Sequence, residues 1–219
     1  MGTNSLSVSI MGRGSKTMPV DDMQQIVDDN SDVFGYMSPT LSVNGTVKVG
    51  TDTLSSTSPT GVNEQYFDIK DLTAAEGRKL EYIDMVKRTH VCIIGSYVNR
   101  EYFAGEGLGD YLKINGTKYT IVGILEEKGD GTEYSEDNCI YVPYSTVSRL
   151  TGNGIITEYS VTFLDTDNYE AAKTLLEEEL TEYFNDSDAF YIMSLSEMLD
   201  EMTQMSNVMI TILTLIAGI

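Results

Sequence analysis

Hydrophobic and polar positions alternate regularly at the start of the chain. In SLSVSI, serines separate the apolar residues Leu6, Val8 and Ile10, and this period of two predicts a half-buried strand. The next segment, 19–30, begins with Pro19 and spaces its apolar residues three and four apart, which predicts an amphipathic helix. VFGYMSP then predicts a second strand. The chain therefore opens with a β-α-β unit.

A second β-α-β unit is predicted near the other end of the chain. Residues 158–164 alternate as a strand does, and 168–184 carry one apolar stripe at helical spacing. AFYIMSL predicts the strand that follows this helix. After that strand, Ser194 and Glu197 have the spacing of a capping box, which predicts the start of another helix.

The middle of the chain is richer in strands and turns. Asn44-Gly45 and Asn115-Gly116 each stand between alternating stretches, and each pair predicts a two-residue hairpin, because Asn and Gly tolerate the positive φ of a type I′ turn. THVCIIG and CIYVP predict apolar strands, and SYVNREYF predicts a short helix. We therefore predict an α+β fold in which two β-α-β units, near 5–80 and 155–195, flank a strand-rich insert.

The charge of the chain limits the partners that it can bind. Its 219 residues include 34 acidic and 14 basic side chains, which gives a net charge of −20. Such a surface repels phosphate backbones and anionic headgroups, so nucleic-acid binding is not expected. Solubility alone is the simpler explanation of this acidity.

The last residues of the chain are mostly apolar. Apolar side chains follow the last predicted strand at helical spacing, and no charged residue occurs from Val208 to Ile219. We expect 206–219 to be the start of a membrane-spanning helix that continues beyond Ile219; a buried core helix is the alternative. No Lys or Arg follows Lys173, which predicts that the domain lies on the extracytoplasmic face of a cell membrane.

The sequence contains no complete phosphate-binding motif. SVSIMGRGSKTMPV has the strand, glycine loop and helix of a phosphate-binding loop, but Ser15 separates Gly14 from Lys16, and Ser9 stands where the first glycine should be. AGEGLGD does not fit the dinucleotide-binding pattern either. The glycine segment of the first stretch is interpreted as a flexible turn, and AGEGLGD is interpreted as a loop.

Metal and catalytic signatures are also incomplete. His90 is the only histidine, and it forms a His-x-Cys pair with Cys92, whereas a structural zinc site needs four ligands and only the distant Cys139 remains. The sequence does not decide whether Cys92 and Cys139 form a disulfide. DTDNYE and DGTEYSED lack the EF-hand pattern, and nothing singles out a catalytic carboxylate pair among the 34 acids. We therefore predict no catalytic residue, no metal site and no cofactor.

The stretch from Leu72 to Leu125 contains a series of short motifs. They are, in order, a Gly-Arg pair, an aspartate, an apolar strand ending in glycine, a short helix ending in phenylalanine, a glycine turn and a second apolar strand. In this order they resemble the extracytoplasmic core domain of MacB-like ABC transporter permeases. The matching positions are Gly77-Arg78, Asp84, Ile93-Ile94-Gly95, Phe103, Gly109, Ile121-Val122-Gly123-Ile124 and, further on, Pro143. The chain departs from the family in having EGLGD where a Pro-hydrophobic-Gly turn is common.

The resemblance implies a particular division of the chain. The two β-α-β units would form a porter-like subdomain, with a smaller, strand-rich subdomain, called the sabre in this family, inserted between them. The implied bounds are 1–83 and 153–205 for the porter-like part, 84–152 for the insert, and 206–219 for the start of the membrane helix.

The resemblance also implies a function without catalysis in this domain. It would couple ATP-driven movement of membrane helices to export or extraction of a peptide, toxin or lipoprotein. Its partners would be an ABC ATPase, a second permease copy and a membrane-fusion adaptor protein. The alternative is the outer regulatory domain of a cell-division or signalling permease that controls a wall hydrolase without transport. The polar segments 126–138 and 51–61 are the candidate partner contacts, although both could be loops without a partner.

Overall fold

The computed structural model describes residues 4–11, 16–148, 155–165 and 168–194, together with 197, 203, 205, 206 and 208–210. The strands are β1 (Ser5–Ile10), β2 (Phe34–Ser42), β3 (Val47–Val49), β4 (Asp52–Leu54), β5 (Pro59–Val62), β6 (Ala74–Gly77), β7 (Val91–Ile94), β8 (Tyr111–Ile114), β9 (Thr117–Leu125), β10 (Ile140–Pro143), β11 (Glu158–Phe163) and β12 (Phe190–Ser194). The helices are α1 (Val20–Asp29), α2 (Tyr66–Ile69), α3 (Tyr82–Lys87), α4 (Ser96–Phe103), α5 (Tyr144–Val147) and α6 (Tyr169–Phe184).

Two β-α-β units are interleaved in one part of the sheet. The strand order there is β12-β1-β11-β2, and every neighbouring pair is antiparallel. β1 and β2 therefore run parallel and are joined by α1, while β11 and β12 run parallel and are joined by α6. Each unit encloses a strand of the other, as in split β-α-β folds. The two predicted units are confirmed, and their interleaving is a feature that the sequence pattern did not predict.

The first hydrophobic core lies between this part of the sheet and its two long helices. β1 turns Leu6, Val8 and Ile10 into that core, as the serine alternation predicted. α1 and α6 bury the apolar stripes expected from their spacing. The main contributors from the two helices are Met23, Ile26, Val27, Ala172, Leu176 and Leu180. Burial of these stripes is the main source of stability for both helices, because isolated helices of this length are marginal in water.

The sheet continues beyond β2 through the middle of the chain. The last residues of β2, Leu41 and Ser42, pair with Gly61 and Thr60 of β5. From there the order is β5-β10-β7-β9-β8-β3-β4, with β6 paired to the last part of β9. Two further hydrophobic cores pack against this part of the sheet. One includes Ile94 and Ile121, and the other includes Phe67, Leu80 and Ile93. The α+β fold class is thus confirmed.

One of the two predicted hairpins is wrong. β2 and β3 flank Asn44-Gly45 but do not pair: β2 pairs with β11 and β5, and β3 pairs with β4 and β8. The reason is that β2 already has a partner on each side. The hairpin in this region is β3–β4, which turns at 50–51. The Asn115-Gly116 hairpin joins β8 to β9 and is confirmed, with positive φ at both residues.

The segment after β12 is described only in part. Ser194 and Glu197 form the predicted capping box: each backbone N–H donates to the other side chain, at 2.8 Å and 3.1 Å. Residues 208–210 are helical and exposed, whereas 211–219 lie outside the described residues. Within the part of the chain that the structure describes, no helix is long and apolar enough to cross a bilayer. The membrane helix over 206–219 stays a prediction.

Candidate functional site

An ion pair between the half-buried Arg78 and the buried Asp84 joins the end of β6 to α3. Arg78 donates from Nη1 to Asp84 Oδ2 at 2.6 Å and from Nη2 to Oδ1 at 3.2 Å. The backbone N–H of Glu81 donates to Oδ2 at 3.0 Å, and the hydroxyl of Thr89 donates to Oδ1 at 2.8 Å. One buried carboxylate therefore binds the end of β6, the start of α3 and the segment before β7.

The environment of Asp84 keeps its carboxyl ionised. Burial by itself raises the pKa, but hydrogen bonds from Arg78, from the Glu81 N–H and from Thr89 outweigh it and hold the pKa of Asp84 below its usual range. The same ion pair raises the pKa of the Arg78 guanidinium. A carboxylate that is ionised at neutral pH and whose oxygens already accept four hydrogen bonds has neither a free lone pair nor a free proton to offer a substrate. Its role is therefore structural.

Two glycines of the resemblance lie where backbones meet. Gly77 has a φ of 74°, and a Cβ on it would lie 2.2 Å from the carbonyl oxygen of Val122 in β9. A Cβ on Gly95, which follows β7, would lie 2.0 Å from the carbonyl oxygen of Asp137. No side chain fits at either contact. The glycines set how closely β6 approaches β9 and how closely the acidic loop approaches α4.

The acidic segment 126–138 is organised around one buried aspartate. The Asp137 carboxylate accepts hydrogen bonds from the backbone N–H groups of Lys128 (2.7 Å), Gly129 (3.0 Å) and Gly131 (2.9 Å) and from the hydroxyl of Ser135 (3.1 Å). Burial raises the pKa of Asp137, and these donors outweigh it, so that the pKa lies below its usual range. The segment is a folded loop with a defined conformation.

The two polar segments that were expected to contact partners lie against each other. The hydroxyl of Thr57 donates to Asn138 Oδ1 at 2.5 Å, and Asn138 Nδ2 donates to the carbonyl oxygen of Glu133 at 2.7 Å. Tyr134, at the tip of the acidic loop, is 92% exposed. The segments 51–61 and 126–138 are therefore joined by a side-chain hydrogen bond. Segment 51–61 is not an exposed loop throughout, because it contains β4 and the start of β5, and Leu54 and Thr57 are buried. Whether a partner contacts the exposed residues of either segment stays a prediction.

The candidate catalytic and metal residues are not brought together. His90 is exposed and lies against the ring of Tyr119, at 5.3 Å between centroids. Cys92 and Cys139 are free thiols, and burial raises the pKa of both, to about 12 for Cys139. Among the described residues, no group of three or more His, Cys, Asp or Glu side chains is placed to hold a metal ion. Gly14, between β1 and α1, lies outside the described residues.

The match to known proteins covers most of the chain. Residues 1–179 match the model of the MacB-like periplasmic core domain. The chain belongs to this family. The family is one of ABC transporter permeases and indicates no enzyme fold, in agreement with the resemblance carried by the stretch from Leu72 to Leu125.

Curated relatives are longer than this chain. It is 26% identical over 202 residues to the macrolide export ATP-binding/permease protein MacB of Mannheimia succiniciproducens, a match that covers 89% of the chain and 31% of the relative. It is 28% identical over 234 aligned residues to MacB of Neisseria gonorrhoeae, which covers 99% of the chain and 35% of the relative. The chain thus spans about a third of the length of these MacB-like relatives.

Solved structures share the fold. The periplasmic region of MacB from Actinobacillus actinomycetemcomitans superposes with a TM-score of 0.77 at 23% identity, over 93% of this chain and 94% of that one. The extracellular domain of the noncanonic ABC-type transporter YknZ from Gram-positive bacteria superposes with a TM-score of 0.72 at 17% identity, over 87% and 100%. The MacB-like fold is therefore common to this chain and both domains.

The sequence patterns missed the contacts that organise this site. Arg78 and Asp84 were noted as matching positions, but nothing in the pattern indicated that they bond to each other. α3 could have been found, since Glu81 and Asp84 are spaced as a capping pair before an apolar stretch. The role of Asp137 gave no signal, because it is one acid among many in its segment.

Proposed function

We propose that this chain is the extracytoplasmic domain of an ABC transporter permease and couples ATP-driven movement of membrane helices to the export or extraction of a peptide, toxin or lipoprotein. The observation that carries the proposal is the position of its two ends. β1 begins where β12 ends, with Leu6 directly paired to Ser194 in neighbouring antiparallel strands. The start of β1 and the end of β12 thus lie side by side, as an insertion between two membrane helices requires.

The sheet provides the means of transmission. β1 and β12 are hydrogen-bonded neighbours, and β11 and β2 connect them to the strands on which α3 and the acidic loop are built. A shift of one membrane helix against the other would act on this pair of strands. Because cores are close-packed and transmit strain, such a shift would move the domain as a rigid body. ATP would be hydrolysed by a separate cytoplasmic domain or subunit.

The remaining partners and bounds follow from the same proposal. The domain would lie on the outer face of the membrane, in a permease with two copies, and would contact a membrane-fusion adaptor through exposed loops such as 126–138. The division into 1–83, 84–152 and 153–205 describes a porter-like part with a sabre-like insert. The membrane helix would begin within 206–219.

A flexible linker tests the coupling. Inserting about ten Gly/Ser residues after Ser194 in the full-length permease lets the following helix move without pulling β12. We expect resistance of the cells to an antimicrobial peptide to be lost while ATPase activity is retained. The matched control is the same linker at the exposed Gly50-Thr51 turn, which should leave resistance intact. Unchanged resistance with the linker after Ser194 would contradict coupling, and loss of wall-hydrolase activity alone would favour the regulatory alternative.

A further inference from the structure

The short helix α3 turns three large apolar side chains towards solvent. Tyr82 is 69% exposed, Ile83 is 44% exposed and Val86 is 57% exposed, although they are close neighbours on one helix. The opposite face of α3 packs against the rest of the domain, since Asp84 and Met85 are buried. Scattered exposed apolar residues need no explanation, but a contiguous group on one element indicates an interaction surface.

α3 is held rigidly in place. Its inner face is fixed through the four hydrogen bonds to Asp84, and the hydroxyl of Ser145 in α5 donates to the carbonyl oxygen of Met85 at 2.7 Å. A partner that binds the outer face would therefore not have to order the helix. Such preorganisation lowers the entropic cost of binding.

The charges on α3 suit a second copy of the same helix. Glu81 precedes the three apolar residues, while Lys87 and Arg88 follow them, and all three charged side chains are exposed. In the part of the chain that the structure describes, no carboxylate lies within salt-bridge distance of Lys87 or Arg88. The segment is thus acidic at one end, apolar in the middle and basic at the other.

We propose that α3 packs antiparallel against α3 of a second copy of this chain, across a two-fold axis. Glu81 of each copy then faces Lys87 and Arg88 of the other, and the apolar residues of both copies meet between them. A two-fold interface requires such a self-complementary patch. The attraction between these charges is local, and it acts against the repulsion between the two chains as a whole, each of which has a net charge of −20.

The contact is weak by itself. Stable interfaces bury about 1,200 Å² or more, and two helices of two turns each bury less than that. The inference therefore deepens the proposed function and rests on it in one respect: membrane helices that hold two copies together would supply an effective concentration in the millimolar range. In the isolated chain the contact forms only transiently, and a covalent trap is needed to detect it.

Cysteine trapping tests the contact. Val86→Cys places a thiol close to the proposed axis, opposite Ile83 of the second copy and within reach of a transient disulfide to its own counterpart. Leu164→Cys is the control with matched exposure, at 58% against 57%. Both variants are oxidised with copper phenanthroline at about 1 mM chain, near the effective concentration given above. Cys92 is buried and Cys139 is half-buried, and the raised pKa of both thiols, caused by burial, disfavours the reactive thiolate and keeps the background low. We expect disulfide-linked dimers from Val86→Cys and not from Leu164→Cys.

Charge reversal supplies an independent readout. Adding Lys87→Glu and Arg88→Glu to Val86→Cys places carboxylates opposite Glu81, and we expect dimer formation to slow by about tenfold, which is 1.4 kcal/mol. Adding Lys48→Glu and Lys118→Glu changes the net charge equally on exposed residues elsewhere and should have a much smaller effect. Equal slowing by both pairs would overturn the proposal, as would equal dimer yields from Val86→Cys and Leu164→Cys.

The full-length permease separates failure of this inference from failure of the proposed function. If the purified permease is dimeric by sedimentation and Val86→Cys is not cross-linked in membranes, the α3 contact is wrong and the permease proposal stands. If the permease is monomeric, both are wrong. Cross-linking of Val86→Cys to a different protein, rather than to a second copy, would also overturn the proposed occupant.

Discussion

Two buried aspartates in this molecule keep their charge by different means. Asp84 is compensated by a full positive charge, the guanidinium of Arg78, and its remaining acceptors are filled by Glu81 and Thr89. Asp137 has no cation among its hydrogen-bond donors, which are three backbone N–H groups and one hydroxyl. The pKa of both carboxyl groups is lowered, so in each case the hydrogen-bond donors outweigh the effect of burial.

The difference shows what each carboxylate does. The donors to Asp84 come from β6, α3 and the approach to β7, so its loss would separate elements that belong to the core. The donors to Asp137 lie within its own loop, so its loss would open the loop and leave the sheet intact. An ion pair here joins parts of the fold, whereas backbone donors shape one segment. Four predictions, from the largest effect to the smallest, test this comparison.

The largest effect is expected from Asp84→Ala. It leaves the Arg78 guanidinium and two other donors without their acceptor, and breaking a buried ion pair costs about 3–5 kcal/mol. Because the Arg78 side chain is 37% exposed and water can reach it, we expect the lower end, about 3 kcal/mol in the free energy of unfolding. Denaturant titration measures this value. Asp68→Ala, which breaks the exposed Lys79 pair, is the control and should cost about 1 kcal/mol or less.

Asp137→Ala should act locally. Leaving its donors without an acceptor costs about 2 kcal/mol, but the loop can open and let water bind them. We expect the amides of Lys128, Gly129 and Gly131 to exchange with solvent much faster, while the amides of β7 and β9 exchange as before. Hydrogen exchange followed by NMR measures both. Faster exchange throughout the sheet would show that Asp137 joins core elements as Asp84 does.

The pH dependence should separate the two side chains from ordinary surface acids. Each has a lowered pKa in the folded state, so each contributes stability that is complete above the unfolded value of about 3.9 and is lost as pH falls through the folded pKa. Asp84→Asn removes one such group. The free energy of unfolding of this variant should fall less steeply than that of the unmodified chain as the pH drops from about 4 to about 2. The two slopes should differ by up to about 1.4 kcal/mol per pH unit. An unchanged slope would mean that Asp84 titrates as it does in the unfolded chain.

The smallest effect concerns the contact between the two polar segments. Thr57→Val keeps the shape of the side chain and removes the hydroxyl that donates to Asn138. Loss of this hydrogen bond should cost about 1 kcal/mol and should raise exchange in the acidic loop less than Asp137→Ala does. Tyr134→Ser at the exposed loop tip is the control, with an expected change within about 0.5 kcal/mol. An effect as large as that of Asp137→Ala would mean that the neighbouring segment, and not Asp137, holds the loop.

The sequence predicted much of the fold because much of it is local. The alternation of β1, the stripes of α1 and α6 and the Asn115-Gly116 turn depend on side chains close in the chain, and all are confirmed. The Asn44-Gly45 hairpin is wrong because a local signal cannot tell whether another strand has taken the pairing edge. The elements β4, β5, β6 and α2 were missed, since at three or four residues they are too short to show a period. The six-residue helix α3 was missed as well.

The sequence by itself determined the longer helices and strands, the α+β class and the family, since each depends on periodicity or on the order of short motifs. Only the tertiary structure decided which strands pair, that Arg78 bonds Asp84, that Asp137 shapes the acidic loop, and that α3 leaves an apolar face uncovered. The physical reason is that these four facts depend on contacts between residues whose positions are set by the whole sheet. A buried charge and a solvated one are the same letter in the sequence, and burial is decided by packing.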